Sequence, residues 1–219
     1  WGQPRNDKLF QKMDAGEQMK NIFRGERLPE FTRLLLYAPT FRDHGETKVF
    51  PFPEFEGAGR EAALKRLQEF LEKHQSMLCI RMHLYEKEGY EWLRALDHPG
   101  SRIRFLTEDR VEDIMEVLAM FDLLITDYSS IYIDYLLLER PMLFLPYDRE
   151  DYLKTRGFNF DYDEVTPGPK PKSYAEFLNS IEGLLYNEMN YVENRKKIER
   201  KFNKIQEPCS EYICRMVKE

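Results

Sequence analysis

The sequence predicts an α/β fold built on a doubly wound parallel sheet. Short apolar runs alternate with amphipathic segments along most of the 219 residues, an order typical of strand–helix–strand units. The apolar runs are continuous, which indicates strands that are buried on both faces of a parallel sheet. Right-handed crossover connections then place helices on both sides of that sheet.

Each expected strand is a short apolar run bounded by polar or turn residues. In chain order the expected strands are 33–37, 77–82, 103–106, 123–126 and 141–145. The intervening segments show the 3.6-residue apolar period of helices that pack one face on a core. These expected helices are 7–23, 60–74, 89–96, 107–121 and 131–139. Thr107 is expected to cap the fourth of them.

The remaining segments are expected to be irregular or to extend the sheet domain. Residues 44–59 and 158–172 are rich in Pro, Gly and aromatic residues, and 148–157 reads as a polar, partly helical loop. Three helices are expected to close the chain, near 173–187, 191–205 and 208–217. We therefore expect a sheet domain at 1–189 and an appended helical extension at 190–219.

Composition excludes several classes of protein. The net charge of −6 argues against a general nucleic-acid binder, which would carry a basic surface. Cys79, Cys209 and Cys214 show no CxxC spacing, so we expect neither a disulfide framework nor a zinc site, and a cytoplasmic location. No apolar stretch is long enough to span a bilayer. Because the chain begins with Trp1, we expect it to be part of a longer protein.

The run LLITDYSSIYIDY at 123–135 is the most informative part of the chain. An expected strand ends there at Asp127-Tyr128-Ser129-Ser130, and an expected helix follows directly. The first turn of a helix has unpaired N–H groups and the positive end of its dipole, which together bind phosphate. The alternative is that Asp127 or Ser129 only caps the helix, and the sequence does not decide between the two.

Other polar residues follow the neighbouring expected strands. Arg42, Asp43, His83 and Thr107 should join 127–130 at the carboxyl edge of the sheet, where ligands of such folds bind. Arg42 is suited to neutralise phosphate, with Asp43 orienting it, and His83 can hold or pass a proton. The alternatives are a surface ion pair for Arg42 and Asp43, and an ordinary strand-end polar residue for His83.

Several motifs of the chain resemble one enzyme family. The motifs are PRND at 4–7, YAPTFRD at 37–43, the strand-end His83, LLITDYSSIYIDY at 123–135, RPMLFLPYD at 140–148, Tyr152 with RGF at 156–158, and TPGP at 166–169. In this order they resemble the CDP-glycerol:poly(glycerophosphate) glycerophosphotransferases, which prime and polymerise teichoic acids and have ribitol-phosphate relatives. One departure is Leu84, which follows His83 where the family commonly has proline.

The resemblance implies a two-lobed GT-B architecture of which this chain is the Rossmann-like C-terminal half, the lobe that binds the donor. The donor substrate would be CDP-glycerol or CDP-ribitol, with no cofactor and no metal ion in the site. A polymer or lipid-linked acceptor would bind through a missing N-terminal lobe, whose histidine no residue here replaces. The acceptor hydroxyl would attack the β-phosphorus and CMP would leave. The isolated chain is therefore expected to be inactive.

The same resemblance assigns roles to individual residues. His83 matches the donor-lobe histidine and is the candidate catalytic residue. The candidate substrate-binding residues are Arg42, Asp43, Thr107, Asp127, Tyr128, Ser129, Ser130 and Asp134.

Two further classes of function remain open. The chain could be a lobe of a GT-B glycosyltransferase that uses a nucleotide sugar, or a non-catalytic module that binds nucleotide or polymer. The basic run at 193–204 fits a solvated helix face, a contact with the missing lobe, or attraction to an anionic membrane. The last alternative would place the full-length protein at the inner face of the cell membrane.

Overall fold

The computed structural model describes residues 2–40, 42, 47–82, 91–186 and 191–218. The strands are β1 Arg33–Ala38, β2 Ser76–Ile80, β3 Ile103–Phe105, β4 Leu123–Thr126 and β5 Met142–Phe144. They form a five-stranded sheet in the order β3-β2-β1-β4-β5, and every neighbouring pair is parallel. This arrangement confirms the predicted fold class.

Helices cover the sheet on both faces. They are α1 Ala15–Ile22, α2 Arg60–Lys73, α3 Glu91–Arg94, α4 Ile131–Tyr135, α5 Arg149–Thr155, α6 Tyr162–Val165, α7 Tyr174–Leu185, α8 Val192–Phe202 and α9 Ser210–Lys218. Shorter 3₁₀ turns lie at Pro4–Phe10, Pro53–Phe55, Gly57–Gly59, Ile114–Glu116, Leu118–Met120 and Leu136–Leu138. In the described part of the chain, no helix combines the length and the apolar character needed to cross a membrane.

The central strand β1 separates two halves of the sheet. The chain runs outward from β1 through β2 to β3, then returns past β1 to β4 and continues to β5. The strand order therefore reverses between β1 and β4. Because the connections leave these two strands in opposite directions, a crevice opens beyond their carboxyl ends.

The side chains of β1 alternate between two buried clusters. Leu35 and Tyr37 pack with α2 and α7 on one face of the sheet, and Leu34 and Leu36 pack with α1, α4 and α8 on the other. All four are at most 1% exposed. Burial on both faces explains why the strands are continuous apolar runs.

The helix predicted at 7–23 is two elements in the structure. Residues Pro4–Phe10 form a 3₁₀ helix, and Gln11 is extended. The α-helix starts only at Ala15, after Asp14, whose side chain accepts a hydrogen bond from the N–H of Glu17 at 2.9 Å. The local capping by Asp14 therefore starts a new helix inside the predicted one.

The prediction of a helix at 107–121 is wrong. This segment contains turns and the 3₁₀ helices Ile114–Glu116 and Leu118–Met120. The guanidinium of Arg81 donates to the carbonyls of Val111 and Glu112, at 2.5 and 3.1 Å. Those carbonyls would accept bonds within an α-helix, so a distant side chain competes with the local helical pattern. Thr107 consequently caps no α-helix.

The three closing helices lie where they were predicted, as α7, α8 and α9. In α8, Ile198 packs in the core cluster that also contains residues of α1 and α4. Asn203, the residue directly after α8, donates a hydrogen bond to the carbonyl of Ile133 at 2.6 Å. The carboxylate of Asp7 accepts the N–H groups of Cys209 and Ser210, at 2.8 and 3.0 Å, and so caps the start of α9.

Candidate functional site

A polar cleft of about 480 Å³ lies at the carboxyl ends of β1, β2 and β4. It occupies the crevice where the strand order reverses. Its walls come from residues 38–40 after β1, 81–82 after β2, 113–115, and 129–131 at the start of α4, with Arg5 and Asp134 at one side. The position is the one at which doubly wound sheets bind their ligands.

Arg81 is a half-buried cation of this cleft and was not among the predicted site residues. Its guanidinium donates to the carbonyls of Leu106 and Val111, and it forms no ion pair with any carboxylate in the described residues. Burial lowers the pKa of Arg81, and the charges of Glu108 and Asp113 only partly oppose that effect. The signal that could have identified it is a charged residue directly after a fully buried strand.

Ser129 and Ser130 line the cleft, as expected from their position before α4. Ser130 is exposed and Ser129 is partly buried. The hydroxyl of Ser129 accepts a long hydrogen bond of 3.4 Å from the N–H of Ile131, which is a weak capping contact. Both hydroxyls therefore remain able to contact a ligand.

Arg42 contacts carboxylates instead of the open cleft. It donates from Nε to Asp148 at 2.6 Å and from a terminal nitrogen to Asp127 at 2.8 Å, and it also donates to the carbonyl of Thr40 at 2.6 Å. Burial by itself would lower the pKa of Arg42, but the hydrogen bond to Asp148 and the charge of Asp127 outweigh it and raise the pKa. The guanidinium is thus held in a buried ion-pair network.

Asp127 holds the loop after β1. It is 1% exposed and accepts from the N–H and hydroxyl of Thr40, at 2.8 and 2.5 Å, as well as from the N–H of Tyr128. Thr40 itself lines the cleft. We call Arg42, Asp127 and Asp148 the buried clasp. Its hydrogen bonds to Thr40 fix the position of this part of the cleft wall.

Tyr128 does not line the cleft. Its ring stacks on Tyr152 with centroids 4.0 Å apart and contributes to an aromatic pocket of about 220 Å³ that also includes Phe158 and Tyr162. The Arg42 guanidinium lies 5.1 Å from its centroid. Burial raises the pKa of the Tyr128 hydroxyl, and the nearby charge of Asp148 adds to the effect.

Asp134 lies at the cleft and is bound by Arg5. The two oxygens of Asp134 accept from Arg5 at 3.1 and 2.8 Å. Burial raises the pKa of Asp134, and the charge of Arg5 opposes the shift. The Arg5 side chain is 54% exposed, so it can exchange this partner for an anionic ligand. Arg5 belongs to the PRND motif, which was noted only as part of the family resemblance.

The other predicted residues lie outside the cleft or outside the described residues. Thr107 follows β3, and its side chain hydrogen-bonds to Asp109 and lowers the pKa of that carboxyl. The neighbouring Glu108 lines the cleft instead. His83 and Asp43 fall in parts of the chain that the structure does not describe. Among the described residues, no cluster of three or more His, Cys, Asp or Glu side chains could hold a metal ion.

A doubly wound parallel sheet with a polar cleft at its reversal point is the arrangement of a Rossmann-like ligand-binding lobe. The family model for CDP-glycerol:poly(glycerophosphate) glycerophosphotransferase matches residues 1–219. The chain therefore belongs to this family.

Individual relatives agree with that assignment. The chain is 34% identical over 169 residues to a teichoic acid glycerol-phosphate primase of Bacillus spizizenii, covering 77% of this chain and 39% of the relative. It is 31% identical to the teichoic acid ribitol-phosphate polymerase TarK of Staphylococcus aureus, covering 84% of this chain and 34% of the relative. The chain thus spans less than half the length of these relatives.

A solved structure also matches along nearly the whole chain. The wall teichoic acid polymerase TagF superposes with a TM-score of 0.72 at 27% sequence identity. The match covers 98% of this chain and 50% of the TagF chain. The fold described here therefore corresponds to about half of that polymerase chain.

Proposed function

We propose that this chain is the donor-binding lobe of an enzyme that transfers glycerol phosphate or ribitol phosphate from a CDP-alditol to a hydroxyl acceptor. In the transfer, the acceptor oxygen forms a bond to the β-phosphorus. The bond from that phosphorus to the CMP oxygen breaks, and CMP leaves with the electron pair. A base of the acceptor lobe takes the acceptor proton, because in this proposal the attacking hydroxyl is held by that lobe.

The observation that carries the proposal is the composition of the cleft at the β1–β4 reversal. It combines the Arg81 guanidinium with the hydroxyls of Ser129 and Ser130. Of the carboxylates in the same wall, Asp134 is paired with Arg5 and Asp113 with Lys8, and Glu108 is the third. A diphosphate seated there would receive hydrogen bonds from the hydroxyls of Ser129 and Ser130 and positive charge from Arg81. Arg5 could add a second cation by leaving Asp134.

The same groups support transfer without a cofactor or metal ion. Charge that develops on the phosphoryl oxygens must be neutralised, and preorganised cations and N–H groups can do this in a partly enclosed site. In this proposal Arg81 and the first turn of α4 supply that neutralisation. His83, two residues beyond Arg81 in the sequence, would donate a hydrogen bond to the donor phosphates.

The test is the affinity of the chain for CDP-glycerol and CDP-ribitol, measured by isothermal titration calorimetry. We expect saturable binding that weakens at least about tenfold in Arg81→Gln, since a hydrogen bond to a charged group contributes roughly 1.5–3 kcal/mol. Arg33→Gln is the matched control, because Arg33 is exposed at the opposite end of β1. It removes the same charge and should leave affinity unchanged.

Two results would contradict the donor-lobe proposal. One is the absence of affinity for any CDP-alditol in a chain whose thermal unfolding is cooperative. The other is equal weakening in the Arg81 and Arg33 variants, which would indicate nonspecific attraction. A preference for UDP-sugars would move the chain to the glycosyltransferase class.

We also propose that the full-length protein works at the inner face of the cell membrane, where a lipid-linked acceptor would be found. Support comes from α8, which carries exposed Lys197, Arg200 and Lys201, and from Lys204 in the loop that follows it. The apolar residues Tyr212, Met216 and Val217 are 41–80% exposed on α9. Such surfaces bind anionic bilayers. Equal sedimentation of the full-length protein with neutral and anionic vesicles would argue against this location.

A further inference from the structure

A second pocket, of about 560 Å³, lies beyond the carboxyl end of β5. Its walls are residues 51–52, residues 145–147 and 149 of the loop after β5, and the segment 170–172, with Asp163 at one side. Tyr147 in this wall packs against the guanidinium of Arg42, 5.1 Å from the ring centroid. The buried clasp therefore separates this pocket from the donor cleft, although both open at the same edge of the sheet.

The segment that carries the lysines of this pocket is held close to β5. A Cβ on Gly168 would collide with the carbonyl oxygen of Met142, so a residue without a side chain allows the close approach. The N–H of Phe144 then donates to the carbonyl of Pro169 at 3.0 Å. Pro167, Pro169 and Pro171 restrict the backbone further. The TPGP motif thereby gives Lys170 a defined position.

The pocket contains more positive than negative charge. Asp163 is the carboxylate of its wall, and it is shared by Arg149 at 2.6 Å and Lys170 at 3.6 Å. Lys172 is exposed, and no described carboxylate forms an ion pair with its ammonium group. Three cations thus face one carboxylate, and an anion that enters would be attracted by the excess.

Lys170 is the most buried of these cations. Its side chain is only 24% exposed, and its ammonium group donates to the carbonyl of Thr166 at 3.1 Å. Burial lowers the pKa of Lys170, and the charge of Asp163 opposes the shift. Its ammonium nitrogen lies 5.8 Å from the ring centroid of Phe144 and 5.7 Å from that of Tyr162. A bound anion would supply the opposite charge that the pocket lacks.

We propose that this pocket binds a phosphodiester group of the acceptor polymer, at a subsite separate from the donor cleft. The proposal rests on the proposed function, because an alditol-phosphate polymer is the polyanion that such an enzyme would extend. Neighbouring strands are about 4.8 Å apart, so a pocket at β5 lies beside a cleft at β1 and β4. One phosphate of the growing chain can then be held while its end reaches toward the donor.

The test uses a short oligo(glycerol phosphate) as the probe, titrated into the 219-residue chain and followed by two-dimensional NMR. We expect saturable shifts at residues 145–149 and 166–172. The Lys170→Gln, Lys172→Gln double variant should lose at least about tenfold in affinity, whereas its affinity for CDP-glycerol should not change. The Lys170→Arg, Lys172→Arg variant keeps both charges and should retain binding.

The matched control is the Lys65→Gln, Lys154→Gln double variant. It removes two charges from side chains that are 77% and 70% exposed outside the pocket, and it should bind the probe as the unmodified chain does. Equal loss in both double variants would overturn the proposal, because attraction to the overall charge would then explain binding.

Competition distinguishes the sources of the phosphate group. If CDP-glycerol displaces the oligo(glycerol phosphate), the two share one site and the separate subsite is wrong. If inorganic phosphate binds as tightly as the phosphodiester probe, the pocket is an adventitious ion site only, and the proposal is overturned. If CDP-glycerol does not bind at all, the proposed function is wrong. Binding of the probe that depends on the two lysines would still identify the pocket as a phosphodiester site.

Discussion

At the scale of single residues, the buried clasp decides what Arg42 can do. Four of its hydrogen bonds go to Asp148, Asp127 and Thr40. The phosphate contact expected for Arg42 would require one of these partners to move. In the structure Arg42 holds Asp127 and Thr40 in place, and Thr40 lines the cleft. Arg42 is therefore a positioning residue in this arrangement.

We expect Arg42→Met to reduce the free energy of unfolding by about 3–5 kcal/mol. The substitution leaves the buried carboxylate of Asp127 without its cation, and an uncompensated buried charge has roughly this cost. Denaturation in urea, followed by circular dichroism, measures the change. Because the loop after β1 would also lose its anchor, CDP-glycerol affinity should fall in the same variant.

Arg149→Gln is the control for the loss of an arginine ion pair. Arg149 and Asp163 are 40% and 56% exposed, and an exposed pair contributes about 0–1 kcal/mol. The Arg42→Met, Asp127→Asn double variant should recover part of the loss, because it also removes the buried charge. A stability change of Arg42→Met no larger than that of Arg149→Gln would show that the clasp is not a buried ion pair in solution.

At the scale of elements, the segment 166–172 lies against the edge strand β5. It follows α6 and runs beside β5, where the carbonyl of Pro169 accepts the N–H of Phe144. The structure places this segment at the pocket beyond β5, on the far side of the buried clasp from the donor cleft.

We expect Gly168→Ala to destabilise the chain by roughly 1–3 kcal/mol, the usual cost of forcing an added group into a packed site. The methyl group would push the segment away from β5 and displace Lys170. Thermal unfolding measures the stability. The same variant should bind oligo(glycerol phosphate) less tightly than the unmodified chain.

Gly16→Ala serves as the comparison for the glycine substitution. Gly16 lies in α1, and an added Cβ would meet only the Asp14 carboxylate, at 3.3 Å. Alanine favours a helix over glycine by about 1 kcal/mol, so this variant should be neutral or more stable. If Gly168→Ala were equally neutral, the close approach of the segment to β5 would be wrong.

At the scale of the whole molecule, the chain corresponds to about half of the solved TagF chain. Phosphoryl transfer requires the acceptor oxygen and the donor phosphorus to be held in line. A lobe that holds the donor but not the attacking hydroxyl of the acceptor can form half of that arrangement. The cleft of this chain should therefore bind ligand without supporting turnover.

We expect the 219-residue chain to bind CDP-glycerol without releasing CMP at a measurable rate when an acceptor polymer is present. Chromatographic detection of CMP is the measurement. The full-length protein should release CMP, and EDTA should not change its rate, since protein cations neutralise the charge in the proposed reaction. Steady CMP release by the chain alone would show that it contains the complete site.

The sequence by itself determined the layers of the fold and the edge that carries the cleft. Burial on both faces requires continuous apolar strands, and the direction of parallel strands brings the segments after β1, β2 and β4 together. For that reason Ser129 and Ser130 could be placed in the cleft from the sequence. The helices α2, α7, α8 and α9 could be predicted because apolar residues recur in them about every 3.6 residues, which places these residues on one face of each helix.

Only the tertiary structure decided which charged groups pair and which remain available. Arg42 meets Asp127 and Asp148 across 85 and 106 residues of sequence, and Arg81 reaches the carbonyl of Val111 across 30. Such partners are set by distances between loops, which no local pattern encodes. The same long-range contact of Arg81 competes with the predicted helix at 107–121, because a guanidinium can bind backbone carbonyls that a helix would otherwise use.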